Sequence, residues 1–243
     1  VLYHLQISSN NYVLQTKIMA TLETILKNLA PVKVIDATID YIQYMPLDLS
    51  TSNQELVNNK PQTAADFEIY IENLLTQGEA KVAFGGYLEE RNIYKRSENF
   101  NNATTPERNI HIGLDLWIKA GSPVLAALDG TVHSFKNNTI LGDYGPTIIL
   151  KHTIKNHVFY TLYGHLSLES IVNLKVGAVF QKGQILGTLG NSNVNGDYAP
   201  HLHFQIIKNI GDNFGDYPGV CSKVDLNYYA NNCPNPNLVL KIT

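Results

Sequence analysis

Between Ile110 and Ile207 the chain breaks into short β-rich runs separated by Gly, Asn and Asp, and this pattern constrains the fold more than any other. The runs are Val124 to Ala127, Thr131 to Phe135, Thr147 to Leu150, Val158 to Tyr163, Ile185 to Leu189 and His203 to Ile207. Turn pairs recur at Asp129-Gly130, Gly142-Asp143, Lys182-Gly183 and Asn195-Gly196. Several strands at close spacing with turns between them predict an antiparallel β-sandwich or partly open barrel. The chain therefore reads as mainly β, and α+β overall, because two upstream stretches carry helical spacing instead.

In the first of these, Ile18, Leu22, Ile25 and Leu29 recur at helical steps until Pro31 stops the run. In the second, Thr63 and Asp66 form a capping-box pattern ahead of Phe67, Ile71, Leu74 and Leu75, and Gly78 follows as a stop. A polar stretch, Ser97 to Asn109, reads as a loop or linker. The expected division is a helix-containing N-terminal segment over 1–105, a β domain over 106–210, and a tail over 211–243. That tail is rich in Asn, Pro and Tyr and is expected to pack on the β domain as irregular structure.

Composition removes several function classes. Hydrophobic residues make up 44% of the 243 positions and charged residues 16%, enough apolar material for a packed core. The balance of 18 basic and 21 acidic residues gives a net charge of −3, without the basic excess that phosphate neutralisation requires, so no nucleic-acid partner is expected. No apolar run approaches the roughly 20 residues of a membrane span. Val1 to Asn10 lack both the basic and the apolar region of a secretory signal, and Met19 offers a second start. Cys221 and Cys233 fit either one disulfide or two buried thiols, which leaves the compartment open.

Chemistry is concentrated in three histidine constellations. In His111-Ile112-Gly113-Leu114-Asp115 the apolar residues Ile110, Ile112, Leu114 and Leu116 alternate with the polar set, a strand with one buried face. Positions four apart on a straight strand lie about 13 Å apart, too far to share one metal ion easily. Gly113 permits a bulge or bend there, so a shared metal requires the strand to deform. In His201-Leu202-His203-Phe204, Leu202 and Phe204 face the core and both histidines share the opposite face. The third constellation, Tyr163-Gly164-His165-Leu166-Ser167, delivers a histidine from the end of a strand. Of the eight histidines, the other four, His4, His133, His152 and His157, have no partner at informative spacing and read as surface or satisfied core residues.

Taken together, two histidines and a carboxylate supply three ligands suited to zinc, with a fourth position left for water. Two more histidines remain to handle the proton and the developing negative charge. These motifs resemble those of the lysostaphin-like, or LytM-type, zinc metallopeptidases, which cut peptide cross-links in bacterial cell walls. The resemblance runs over about residues 108 to 207. It includes the frame Ala120-Gly121-Ser122-Pro123-Val124, Asp129-Gly130-Thr131-Val132, Val176-Gly177 and Gln181-Lys182-Gly183-Gln184-Ile185-Leu186-Gly187. It implies a fold of the LytM type, one zinc ion held by His111, Asp115 and His203, and a catalytic pair of His165 and His201. It also implies peptidoglycan, in its stem peptides or cross-bridges, as the peptide substrate and the cell envelope as the location.

Other segments depart from wall hydrolases in general: Gly85 to Leu88, Arg91 to Tyr94, Gly142 to Pro146, Gly215 to Cys221 and Asn232 to Leu238. They are more similar to a subgroup in which such a domain sits inside large enzymes beside kinase-like and aminotransferase-like domains, which implies the cytoplasm. Two further functions stay open on this basis. One is a cytoplasmic zinc hydrolase of a small amide or peptide metabolite; the other is a binding or regulatory module that does not cut.

Overall fold

A computed structural model describes residues 20–59, 61–96 and 106–243. Among the described residues the strands, in chain order, are β1 (Tyr44–Pro46), β2 (Val82–Gly85), β3 (Ile110–His111), β4 (Leu114–Trp117), β5 (Pro123–Leu125), β6 (Gly130–Asn138), β7 (Gly145–Ile154), β8 (His157–Gly164), β9 (Val179–Phe180), β10 (Ile185–Thr188), β11 (His201–Ile207) and β12 (Val220–Cys221). The helices are α1 (Leu22–Lys27), α2 (Gln54–Asn59), α3 (Ala64–Gln77), α4 (Glu169–Val172), α5 (Leu226–Asn232) and α6 (Asn237–Leu240). Eight strands form one open sheet in the order β1-β2-β4-β11-β8-β7-β6-β9, and two small sheets, β10-β5 and β12-β3, lie beside it. The architecture is mainly β, as the turn-punctuated runs predict.

One pairing departs from the antiparallel expectation. β1 and β2 run parallel, because the chain between them passes through α2 and α3, and a parallel return needs such a crossover. β2 then pairs antiparallel with β4, setting Gly85 opposite Asp115. Residues upstream of 106 are thus hydrogen-bonded to the strand that carries Asp115. The capping box is present: Thr63 Oγ1 accepts from Asp66 N and Asp66 Oδ2 accepts from Thr63 N. α1 is shorter than its apolar spacing predicts, starting at Leu22 with Thr21 as its cap. Ile18, Met19, His4, the opening residues Val1 to Asn10 and positions 97–105 of the expected linker lie outside the described residues.

Around β4 and β11 the sheet is buried on both faces, which corrects the expectation of a single buried face around 110–116. Leu114, Leu116, Ile148, Leu150, Tyr163, Leu202 and Phe204 share one cluster. Ile110, Ile112, Ile149, Leu162, Ile207, Cys221 and Cys233 share another. Along β11 every residue is buried. The reason lies in the C-terminal residues, expected to be irregular, which instead form β12, α5 and α6. β12 pairs with β3, and Cys221 and Cys233 join the second cluster as free thiols rather than a disulfide.

His152 is one of the histidines with a structural setting. Nδ1 lies 2.8 Å from Asp129 O and Nε2 lies 2.7 Å from Thr161 Oγ1. Burial, partly offset by the Asp129 contacts, holds its pKa below the usual value. The unfolded chain therefore takes up this proton first as pH falls, so stability from His152 is whole above about 6.5 and declines below it. Melting temperatures measured from about pH 8 to about pH 5 should fall less steeply for His152→Gln than for the wild type.

Candidate metal and catalytic centre

Three adjacent strands carry the site. His203 on β11 stands opposite Asp115 on β4 and opposite Gly164 on β8, so the residue just past β8, His165, arrives beside it. His201 and His203, two apart on β11, present to the same side. His111 reaches the same place because the chain leaves the main sheet between β3 and β4. That break meets the condition set by the spacing: His111 Nε2 lies 3.2 Å from Asp115 Oδ1 rather than a strand's length away.

Gly113, at the break, has a second reason to be glycine. A Cβ there would collide with the His203 ring. Gly113→Ala is therefore expected to cost about 1–3 kcal/mol of stability, as overpacking does, and to loosen metal binding. Thermal melts with and without added zinc check both effects.

His111 Nε2, Asp115 Oδ1 and His203 Nδ1 form a buried group of donors able to hold a metal ion. The two ring nitrogens lie 2.8 Å apart and the carboxylate oxygen is 3.2 Å from each. Tetrahedral zinc with bonds of about 2.0–2.1 Å requires donor separations of about 3.3 Å. Asp115 Oδ1 is buried and has no hydrogen-bond partner, a costly state unless another group takes it up. The residues fit the ion.

The surroundings set each ring's tautomer. His111 Nδ1 is 2.9 Å from Gly86 O, which fixes the proton there and leaves Nε2 as the donor atom. His203 Nε2 is 2.9 Å from Gln205 Oε1, which frees Nδ1. His165 Nδ1 lies 2.7 Å from Asn195 O, and His201 Nδ1 lies 2.7 Å from Ala199 O. Both of these imidazoles therefore keep Nε2 with a free lone pair.

Electrostatics agree with neutral rings beside a charged carboxylate. Burial lowers the His111 pKa to about 4, against the pull of Asp115. Burial, then His201 and His203, holds His165 well below the usual histidine value, and burial also lowers His201. Burial alone would raise Asp115, but His111 and Arg91 override it and keep the carboxyl well below its usual range. The His165 and His201 ring centroids are 4.2 Å apart. His165 sits at φ 63°, in the left-handed region that non-glycine residues seldom adopt.

All five residues singled out in the sequence thus meet in one cleft of ≈ 330 Å³. Other residues there were not anticipated. Gln205 extends the alternation of His201 and His203, a signal present in the sequence. Trp117 stacks on His201 at 5.7 Å and 24°, and the Tyr144 ring lies 5.5 Å from His165 and 5.1 Å from His203. Arg91 reaches in from upstream, from the segment Arg91 to Tyr94 rather than from a histidine motif. The cleft is also lined by the apolar residues Leu49, Phe67 and Ile71 and by the charged residues Lys136, Asp143 and Asp216.

The chain is similar over part of its length to several known proteins. Peptidoglycan DD-endopeptidase ShyC of Vibrio cholerae is 32% identical over 118 residues, which is 46% of this chain and 24% of that protein. An uncharacterized metalloprotease of Haemophilus influenzae is 34% identical over 95 residues, 39% of this chain and 18% of that one. The chain spans about a quarter or less of the length of these curated relatives. The catalytic domain of lysostaphin from Staphylococcus simulans is 27% identical, with a TM-score of 0.34, covering 50% of this chain and 80% of that domain. The profile of peptidase family M23 matches residues 109–213, a span that contains His111, Asp115, His165, His201 and His203.

Proposed function

We propose that the chain is a zinc-dependent endopeptidase that hydrolyses peptide bonds of peptidoglycan. The observation that carries this reading is the unpartnered Asp115 Oδ1, 3.2 Å from both His111 Nε2 and His203 Nδ1, with two further imidazoles beside it. His111, Asp115 and His203 would hold one zinc ion. Zinc held there supplies Lewis acidity and makes hydroxide available near neutral pH.

His165 and His201 supply the proton chemistry. Each is held by a backbone carbonyl through Nδ1 and keeps Nε2 free. Either Nε2 can accept the proton of the attacking water and pass it to the leaving amine, and the imidazolium formed in between can donate to the negative charge that develops on the carbonyl oxygen. Residues 106–210 carry this chemistry, with 1–105 and 211–243 as its accessory segments. Peptidoglycan as substrate is supported by two partly matched relatives named peptidoglycan DD-endopeptidases.

The test is mass spectrometry of the peptides released from purified peptidoglycan. New amino and carboxyl termini at one type of bond are expected, and their identity names the bond. Retention of intact wall fragments without new termini would favour a non-cleaving module. Cleavage of small amides alone would favour the metabolite hydrolase.

A further inference from the structure

Two of the three metal-binding side chains are held by a loop upstream of residues 109–213. The loop runs from Gly86 to Arg91 and is zipped to β3. Leu88 N donates to His111 O at 2.8 Å, His111 N to Glu89 O at 2.9 Å, and Arg91 N to Asn109 O at 2.8 Å. Its first residue supplies the carbonyl that fixes His111. Gly86 has φ 100°, and a Cβ there would collide with the Arg91 guanidinium and lie 2.9 Å from His111 Nδ1. Its last residue reaches the carboxylate: Arg91 Nη1 donates to Asp115 Oδ2 at 2.7 Å.

Arg91 is itself fixed. Nε donates to Glu89 Oε2 at 2.5 Å, while Glu89 Oε1 accepts from Leu49 N at 3.1 Å. Its guanidinium lies 5.6 Å from the ring of Trp117, the same ring that stacks on His201. Arg91 and Asp115 are both almost fully buried, at 3% and 1% exposure. A buried guanidinium between two carboxylates orients them rigidly. With Oδ2 occupied, only Oδ1 of Asp115 faces His111 and His203.

We infer that Arg91, held by Glu89, is a positioning residue that fixes Asp115 with one oxygen presented to the metal. This rests on the metal reading above. It makes zinc affinity a property of the upstream loop as well as of the family-matched residues. Partners that orient metal ligands typically contribute 10–100-fold in affinity.

The test is zinc affinity of the full chain, measured by competition with a chromophoric chelator well below the melting temperature of each variant. The double variant Glu89→Gln, Arg91→Met removes both charges without orphaning either, and should bind zinc about 10–100-fold more weakly. Arg91→Lys keeps one cationic donor for Oδ2 and should fall between it and the wild type. If the double variant does not fold, a several-fold loss in Arg91→Lys carries the same conclusion. Equal affinity in the folded variants and the wild type would overturn the inference while leaving the metal reading intact. A wild-type chain that takes up no zinc would refute that reading, and this inference with it.

Discussion

His203→Ala is expected to purify without zinc and to hydrolyse nothing. The variant removes one of three donors, and the remaining two, His111 Nε2 and Asp115 Oδ1, cannot close a site by themselves. It also strips Gln205 Oε1 of its ring partner and opens the space that Gly113 leaves for the imidazole. Zinc that binds only the folded chain stabilises it by about 2.7 kcal/mol at a hundredfold excess over Kd. The wild-type melting temperature should therefore rise with added zinc, and that of His203→Ala should not. Metal analysis and a zinc series of thermal melts read both effects. Retention of one zinc per chain by the variant would mean that His203 is not a ligand.

His165→Ala has the opposite signature. Its imidazole is not among the metal-binding donors, so zinc content and the zinc-dependent shift in melting temperature should match the wild type. Turnover should drop by about 10²–10⁴-fold, the usual contribution of a positioned proton-transfer group. The left-handed backbone at position 165 gives Ala no advantage in stability, so the loss is chemical rather than one of folding. Asparagine tolerates this backbone better than alanine, and His165→Asn should show the same loss with a wild-type fold. An alanine variant with normal turnover would remove His165 from the reaction.

The strands that carry the site are the part of the molecule most legible in its sequence. His201 and His203 lie on β11, with Leu202 and Phe204 in the opposing cluster, as simple alternation requires. Asp66 and Thr63 announce α3 through their own side chains, a local interaction needing no tertiary context. β1 and β2 carry no comparable signal, because three- and four-residue strands are defined by what they pair with. The switch of sheets at Gly113 is visible only as a permissive residue, since nothing local dictates that Ile110 and Ile112 join a different cluster from Leu114 and Leu116. α5 is short and polar, with Asn227, Asn231 and Asn232 among seven residues, and leaves no apolar stripe to read. Arg91 lies outside every histidine motif, and its contact with Asp115 spans 24 positions.

The most direct test of the account is a titration of zinc into protein stripped of metal, with peptide release from purified peptidoglycan as the readout. The account predicts no release from the stripped protein, a rise in proportion to added zinc, and a plateau at one equivalent per chain. Release that persists in the stripped protein would contradict it, because His165 and His201 would then be cutting without the ion that His111, Asp115 and His203 are arranged to hold.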